Sequence, residues 1–128
     1  GGSRGNPGMG ASGAVLYAVD AGQLTEVWTS SRFLGAADVT CNQAEYQALI
    51  DGLRQAVKMR LTSLTVQGDS SLVVNQMLGQ WKVNNARLLQ LVGVAKRLLQ
   101  RLPAASLEWI PRAQNSRADS LCNTAMDA

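Results

Sequence analysis

Leu61-Thr-Ser-Leu-Thr-Val-Gln67 runs directly into Gly68-Asp-Ser-Ser-Leu-Val73, and this junction decides the fold. Leu61 to Gln67 alternates apolar and polar residues, as a half-buried strand does. Ser70 to Gln80 reads as a short helix, with Gly79 near its C-terminal end. Asp69 therefore stands just past a strand end and just ahead of a helix. A strand that feeds a helix in this way builds a sheet with helices packed against it.

Upstream, Ala44 to Met59 has helical periodicity, with Ala44, Leu49, Leu53, Ala56 and Val57 near one face. Ala14 to Val19 is an apolar run of strand length. Asp20-Ala-Gly22 follows as a turn, and Leu24 to Phe33 reads as the antiparallel partner. Gly1 to Gly13 and Gly35 to Asn42 read as loops, the first because it is dense in Gly, Ser, Asn and Pro. Downstream, Asn84 to Leu102 carries a broad leucine stripe and is ended by Pro103. Ser106 to Ile110 is a short strand stopped by Pro111. Gln114 to Ala128 is a last helix with Ala118, Leu121, Cys122 and Ala125 facing inward. The expected order is β-β-α-β-α-α-β-α, a mixed sheet flanked by helices.

At 128 residues, 46% hydrophobic and 16% charged, the chain has the size and core of a single domain, residues 1–128. It contains no histidine. That excludes Ser-His-Asp and Cys-His catalysis, HExxH zinc chemistry and mixed cysteine–histidine zinc fingers. Two cysteines, Cys41 and Cys122, exclude a four-cysteine zinc site and a multi-disulfide framework. Their number suits a reducing compartment, so an intracellular location in cytoplasm or nucleus is expected. No stretch has the roughly 18 to 20 apolar residues of a membrane span, and no membrane partner is expected. The net charge of +3 gathers late: Lys82, Arg87, Lys96, Arg97, Arg101, Arg112 and Arg117 face only Glu108, Asp119 and Asp127 beyond residue 80. Such a basic C-terminal third suits a polyanion, or is simply a solvated helix face.

Catalysis without histidine has to rest on groups such as carboxylates. Glu45 lies in Asn42-Gln-Ala-Glu-Tyr46 at the start of the first long helix, Asp69 past the central strand, and Asp119 early in the last helix. Singly, each is explained by the favourable interaction of an acid with a helix N-terminus. Together they make a hard-oxygen donor set suited to Mg²⁺, which binds through few carboxylates and keeps its waters.

Gly1-Gly-Ser-Arg-Gly-Asn-Pro-Gly8, Asn42-Gln-Ala-Glu-Tyr46, Gly68-Asp-Ser-Ser-Leu-Val73 with Gly79-Gln-Trp-Lys-Val83, and Ile110-Pro-Arg-Ala-Gln-Asn-Ser-Arg-Ala-Asp119 together resemble type 1 ribonuclease H. The resemblance covers essentially the whole chain. It implies an α/β, ribonuclease H-like fold: a mixed five-stranded sheet flanked by helices, its first strand absent from this chain. It also implies endonucleolytic cleavage of the RNA strand of an RNA–DNA hybrid. Two Mg²⁺ ions, or Mn²⁺, roughly 4 Å apart would activate water and stabilise the leaving 3′-oxygen. Glu45, Asp69 and Asp119 match three of the family's four metal-binding acids; the fourth would stand immediately before Gly1. The expectation is that a preceding strand ending in Asp exists natively or is supplied by another segment.

A hybrid is recognised by its 2′-hydroxyls and groove shape rather than by base sequence. Arg4, Gly5 and Asn6 form a backbone-rich loop expected against the RNA strand, and Thr40, Asn42 and Gln43 supply donors beside Glu45. Ser70, Trp81 and Lys82 resemble the family's DNA-strand contacts, although Trp81 suits a core equally well. Arg112 and Asn115 complete the candidate nucleic-acid contacts; Arg112 stands in a short loop where many relatives carry a histidine thought to assist product release. Cys41 stands where relatives often have Asn and reads as a small buried loop residue. Asn84 and Asn85 read as caps of the long helix, and Trp28 and Trp109 as core. The chain is expected either to stand alone or to belong to a larger polypeptide. A hybrid- or duplex-RNA-binding domain without catalysis is the second reading, and a DNA-directed nuclease or transposase of the same superfamily a remote third.

Overall fold

The computed structural model describes residues 1–127. Three antiparallel strands come first: β1 (Gly2–Gly5), β2 (Gly8–Asp20) and β3 (Gln23–Val39). Helix α1 (Cys41–Lys58) follows, then β4 (Ser63–Gly68), α2 (Ser71–Met77), α3 (Ala86–Gln100) and β5 (Ala104–Trp109). A 3₁₀ turn at Arg112–Asn115 leads into α4 (Ser116–Asp127). The strands form two hydrogen-bonded groups, β1-β2-β3 and a parallel β4-β5 pair. In the pair, Ser63 lies opposite Ala104 and Gly68 opposite Trp109.

The glycine-rich start is not a loop. Ser3 pairs with Gly10, and Arg4 with Met9, so residues 2–5 and 8–13 belong to β1 and β2, joined by a turn at Asn6-Pro7. Backbone pairing needs no side chain, and glycine here permits close approaches. A Cβ on Gly10 would fall 2.2 Å from Val39 Cγ1, and one on Gly13 would fall 2.2 Å from the Ala118 carbonyl oxygen. The Gly2–Gly5 strand also revises the expectation that the first strand is wholly absent. Strand β3 likewise runs to Val39, through the segment expected to be loop. The β2–β3 turn places Ala21 and Gly22 at positive φ, +51° and +80°, as a two-residue hairpin with the twist of its strands requires.

Helix α1 begins three residues earlier than the apolar pattern indicates, because a polar device starts it. The Thr40 hydroxyl accepts from the Gln43 N–H, and Gln43 Oε1 accepts from the Thr40 N–H. This reciprocal capping box satisfies two donors that a helix start leaves unpaired. Cys41 is therefore the first helical residue, not a loop residue. Ser70 caps α2 through Val73 N–H, and Asn85 caps α3 through Arg87 and Leu88 N–H. The long third helix starts at Ala86 for that reason.

The larger core joins α1, α2 and α3 through Tyr46, Ile50, Leu53, Val73, Met77, Leu88 and Val92, with half-buried Leu64, Val66 and Leu107 of β4 and β5 against it. A smaller core of Ala11, Cys122, Ala125 and Met126 seats α4 on β2. Residues 11 and 13 share a face by the two-residue period of a strand. Gly13 is thus a point of close approach between the sheet and the first turns of α4, which carry Asp119. Gly13→Ala meets backbone atoms that have no alternative rotamer, so it should lower stability by about 1–3 kcal/mol. Urea unfolding of the two proteins measures this directly.

Candidate active site

Three segments far apart in sequence carry the acids. Glu45 is the fifth residue of α1, its place fixed by the capping box. Asp69 follows the last residue of β4, Gly68, and precedes the Ser70 cap of α2. Asp119 sits in the first turn of α4. The parallel β4–β5 pairing brings Trp109 alongside Gly68, and Trp109 Nε1 donates to the Asp69 carbonyl oxygen at 3.0 Å. Asn115 Nδ2 donates to Asp69 Oδ2 at 3.2 Å, and Arg112 donates to Asp119 Oδ1 at 3.0 Å. The 3₁₀ turn between β5 and α4 thus holds two of the three carboxylates.

The three acids share one electrostatic neighbourhood. Burial pushes the Glu45 carboxyl above its ordinary range; Asp69 reinforces this and Arg112 opposes it. Arg112 is held protonated chiefly by its hydrogen bond to Asp119, with Asp69 and Glu45 adding to the effect. No group of three acids among the described residues is close enough to hold a metal ion. Like charges repel, and Asp69 and Asp119 have each taken a separate partner, an amide and a guanidinium. The donor set is nonetheless all hard oxygen, with Glu45 only 20% exposed, which suits Mg²⁺ or Mn²⁺.

The candidate contact residues divide by what they do locally. Thr40, Gln43, Ser70 and Asn6 each spend an acceptor oxygen inside the protein: the first three on helix caps, and Asn6 Oδ1 on the Cys41 N–H at 3.2 Å. Their hydroxyl or amide hydrogens meet no acceptor among the described residues. A polyanion needs donors, so the capping geometry leaves the useful half of each group for a ligand. Asn42 is half-buried in the first turn of α1, beside Cys41, whose Sγ lies 3.2 Å from Ser3 Oγ. Gly5 turns the chain at φ +85°. Arg4 is directed to the end of α4, where it pairs with Asp127 at 2.6 Å. Trp81 is 49% exposed and Lys82 is exposed, so Trp81 is not a core residue.

Trp109 is 51% exposed beside Asp69 and also departs from the expected core; Trp28 is half-buried. The strand pattern alone places Trp109 at the end of β5, where its neighbour across the ladder, Gly68, has no side chain to cover it. A buried polar pair, Tyr46 Oη donating to Gln76 Oε1 at 2.6 Å, also escaped the sequence, since its partners lie in different helices. Burial pushes the Tyr46 hydroxyl up to about 12.

Comparison with known proteins agrees with this architecture. A family described as reverse transcriptase-like matches residues 1–125. The ribonuclease H of Paracoccus denitrificans is 33% identical, over 95% of this chain and 85% of its own length. The chain belongs to the ribonuclease H family. Its fold superposes on the N-terminal RNase H domain of Rv2228c from Mycobacterium tuberculosis with a TM-score of 0.88 and 44% identity, covering 98% of this chain and 93% of that one. LC11-RNase H1, solved in complex with an RNA/DNA hybrid, is similar at a TM-score of 0.85 and 34% identity, covering 98% and 91%. The chain spans about a third of the full Rv2228c protein (34%) and 61% of the ribonuclease HI of Halobacterium salinarum.

A raised folded-state pKa means that folded Glu45 holds its proton to a higher pH than the unfolded chain does. As pH rises through that interval the unfolded state ionises first, so stability falls and stays reduced above it. Glu45→Gln should therefore raise the melting temperature at pH 7 in metal-free buffer. The gain should vanish at a pH below the unfolded carboxyl range, where both side chains are neutral; thermal melts at the two pH values test this.

Proposed function

We propose that the chain is a metal-dependent ribonuclease H domain that cleaves the RNA strand of RNA–DNA hybrids. The observation that carries this reading is the gathering of Glu45, Asp69 and Asp119 around Arg112. It occurs on a fold similar to that of LC11-RNase H1 in its hybrid complex. Glu45, Asp69 and Asp119 would hold two divalent ions, Mg²⁺ or Mn²⁺. Bound there, such ions supply a nucleophilic water and charge stabilisation for an in-line displacement at phosphorus. The position directly before Gly1, to which the resemblance assigns a fourth acid, adjoins the same cluster, since the Gly1 amino group lies 3.3 Å from Glu45 Oε1.

The chain's own residues do the rest. Asn115 and the Trp109 indole fix the Asp69 carboxylate and main chain. Arg112 offsets the negative charge of the acids as a scissile phosphate approaches, and its exposed guanidinium can follow the product. Thr40, Asn42, Gln43 and Asn6 present donors on one side of Glu45; Ser70, Trp81 and Lys82 present a hydroxyl, an apolar face and a cation on the Asp69 side. Arg4 and Gly5 extend the first group along the β1–β2 turn. The similarity to the N-terminal domain of Rv2228c supports reading the chain as one unit of a larger polypeptide. A hybrid- or duplex-RNA-binding domain is the second reading, favoured by the lack of a three-acid metal group among the described residues.

Incubation with a labelled hybrid separates the two. Cleavage should require Mg²⁺ or Mn²⁺, cease with a chelator and return when metal is restored. Asp69→Asn and Asp119→Asn should each slow it by roughly 10²–10³-fold, the scale of losing one preorganised electrostatic contact. Retained binding without metal-dependent cleavage would select the second reading. Lys82→Ala should weaken hybrid binding and reduce the slope of log affinity against log salt by about 1, as loss of one phosphate contact does; titrations at several salt concentrations measure it.

A further inference from the structure

The buried Tyr46–Gln76 pair has no part in the acid cluster, yet it lies between the elements that carry it. Tyr46 is wholly buried and Gln76 nearly so. Tyr46 Oη donates to Gln76 Oε1 at 2.6 Å, and Gln76 Nε2 donates onward to the Lys82 carbonyl oxygen at 3.1 Å. Tyr46 directly follows Glu45 in α1. Gln76 belongs to α2, the helix that starts beside Asp69, and Lys82 belongs to the exposed loop that carries Trp81. The loop has other ties: Val83 packs against the core that α1, α2 and α3 share, the Asn75 carbonyl accepts from the Gln80 and Trp81 N–H groups, and the Gln76 carbonyl from Gly79 N–H. Among the hydrogen bonds of the described residues, only the side-chain relay refers the loop back to α1.

A buried tyrosine–amide pair is costly to desolvate, and an apolar pair of similar volume would fill the core at least as well. The direction of the relay shows what the polar version adds. Gln76 carries an acceptor at one oxygen and donors at one nitrogen, so fixing its oxygen on Tyr46 aims its N–H at the Lys82 carbonyl. We propose that Tyr46 and Gln76 are positioning residues that set the Trp81–Lys82 loop against α1 for hybrid binding. This rests on the reading that Trp81 and Lys82 touch the nucleic acid. Neither positioning residue reaches the substrate; they restrict where the indole face and the ammonium can be.

The test uses a variant that keeps the core filled but removes the relay, Tyr46→Phe with Gln76→Met. Replacing both partners by apolar groups should leave the urea midpoint near that of the parent, whereas Tyr46→Phe alone, which strands the Gln76 oxygen, should lower it. The dissociation constant for a fluorescently labelled hybrid in metal-free buffer should rise about 2- to 10-fold in the double variant, the scale of one net hydrogen bond. In the metal-dependent reaction KM should rise and kcat should hold. Trp81→Ala with Lys82→Ala is the reference. If that loop variant weakens binding while the relay variant binds like the parent, the positioning role is overturned and the loop contact stands. If the loop variant binds like the parent, the loop reading is overturned and the positioning role with it. Should the double variant not fold, Tyr46→Phe carries the test: weakened binding at a temperature where it is fully folded supports the role, and parental binding overturns it.

Discussion

Repulsion between Asp69 and the half-buried Glu45, with Asp119 held nearby by Arg112, is the constraint around which the rest of the structure is arranged. Glu45, Asp69 and Asp119 arrive from a helix interior, a strand end and a helix start, and nothing about their own chemistry favours their meeting. Burial already raises the Glu45 carboxyl, and Asp69 adds to the cost. What holds them is a set of donors from neighbouring turns: Asn115 on Asp69, Arg112 on Asp119 and the Trp109 indole on the Asp69 main chain. Stability is given up at this site, and the two cores supply it from elsewhere. A divalent ion is the physical complement of such an arrangement, because it removes the repulsion that the protein has only distributed.

The fold meets that constraint by placing rigid starts and ends, rather than long loops, at the site. The parallel β4–β5 pair brings the Asp69 junction beside the Pro111–Asn115 turn. The glycine contacts of β2 let α4 sit close enough to bring Asp119 to the same region. Each acid is then within a few residues of a backbone hydrogen-bond array that fixes its Cα.

Periodic apolar segments were readable in the sequence because a helix or strand that buries one face has to write that face into its residues. Leu53, Ala56 and the leucine stripe of α3 are of this kind, and so are Ala118, Leu121, Cys122 and Ala125 of α4. Residues 2–5 and 8–13 carry no such pattern for the complementary reason: strands built on glycine carry pairing in the backbone and leave little trace in the side chains. The early start of α1 was hidden in Thr40 and Gln43, whose polar side chains resemble loop residues until their reciprocal bonds are seen. Among the candidate site residues, Glu45, Asp69 and Asp119 stand out in the sequence as a motif set. The indole of Trp109 and the Tyr46–Gln76 pair do not, since each depends on a contact between distant segments that has no local signature.

The caps at Thr40 and Ser70 have a consequence for how such a surface can change. As helix starts, both positions would accept aspartate, which caps at least as well as threonine or serine. An aspartate, however, offers a ligand only oxygen, and faces a phosphate backbone with a second negative charge. Substitution there would keep the cap and remove the donor, and at position 70 it would also set a second carboxylate beside Asp69. The atoms that close these helices are thus the ones that, on the proposed reading, face the nucleic acid, and a residue can satisfy the first task while failing the second.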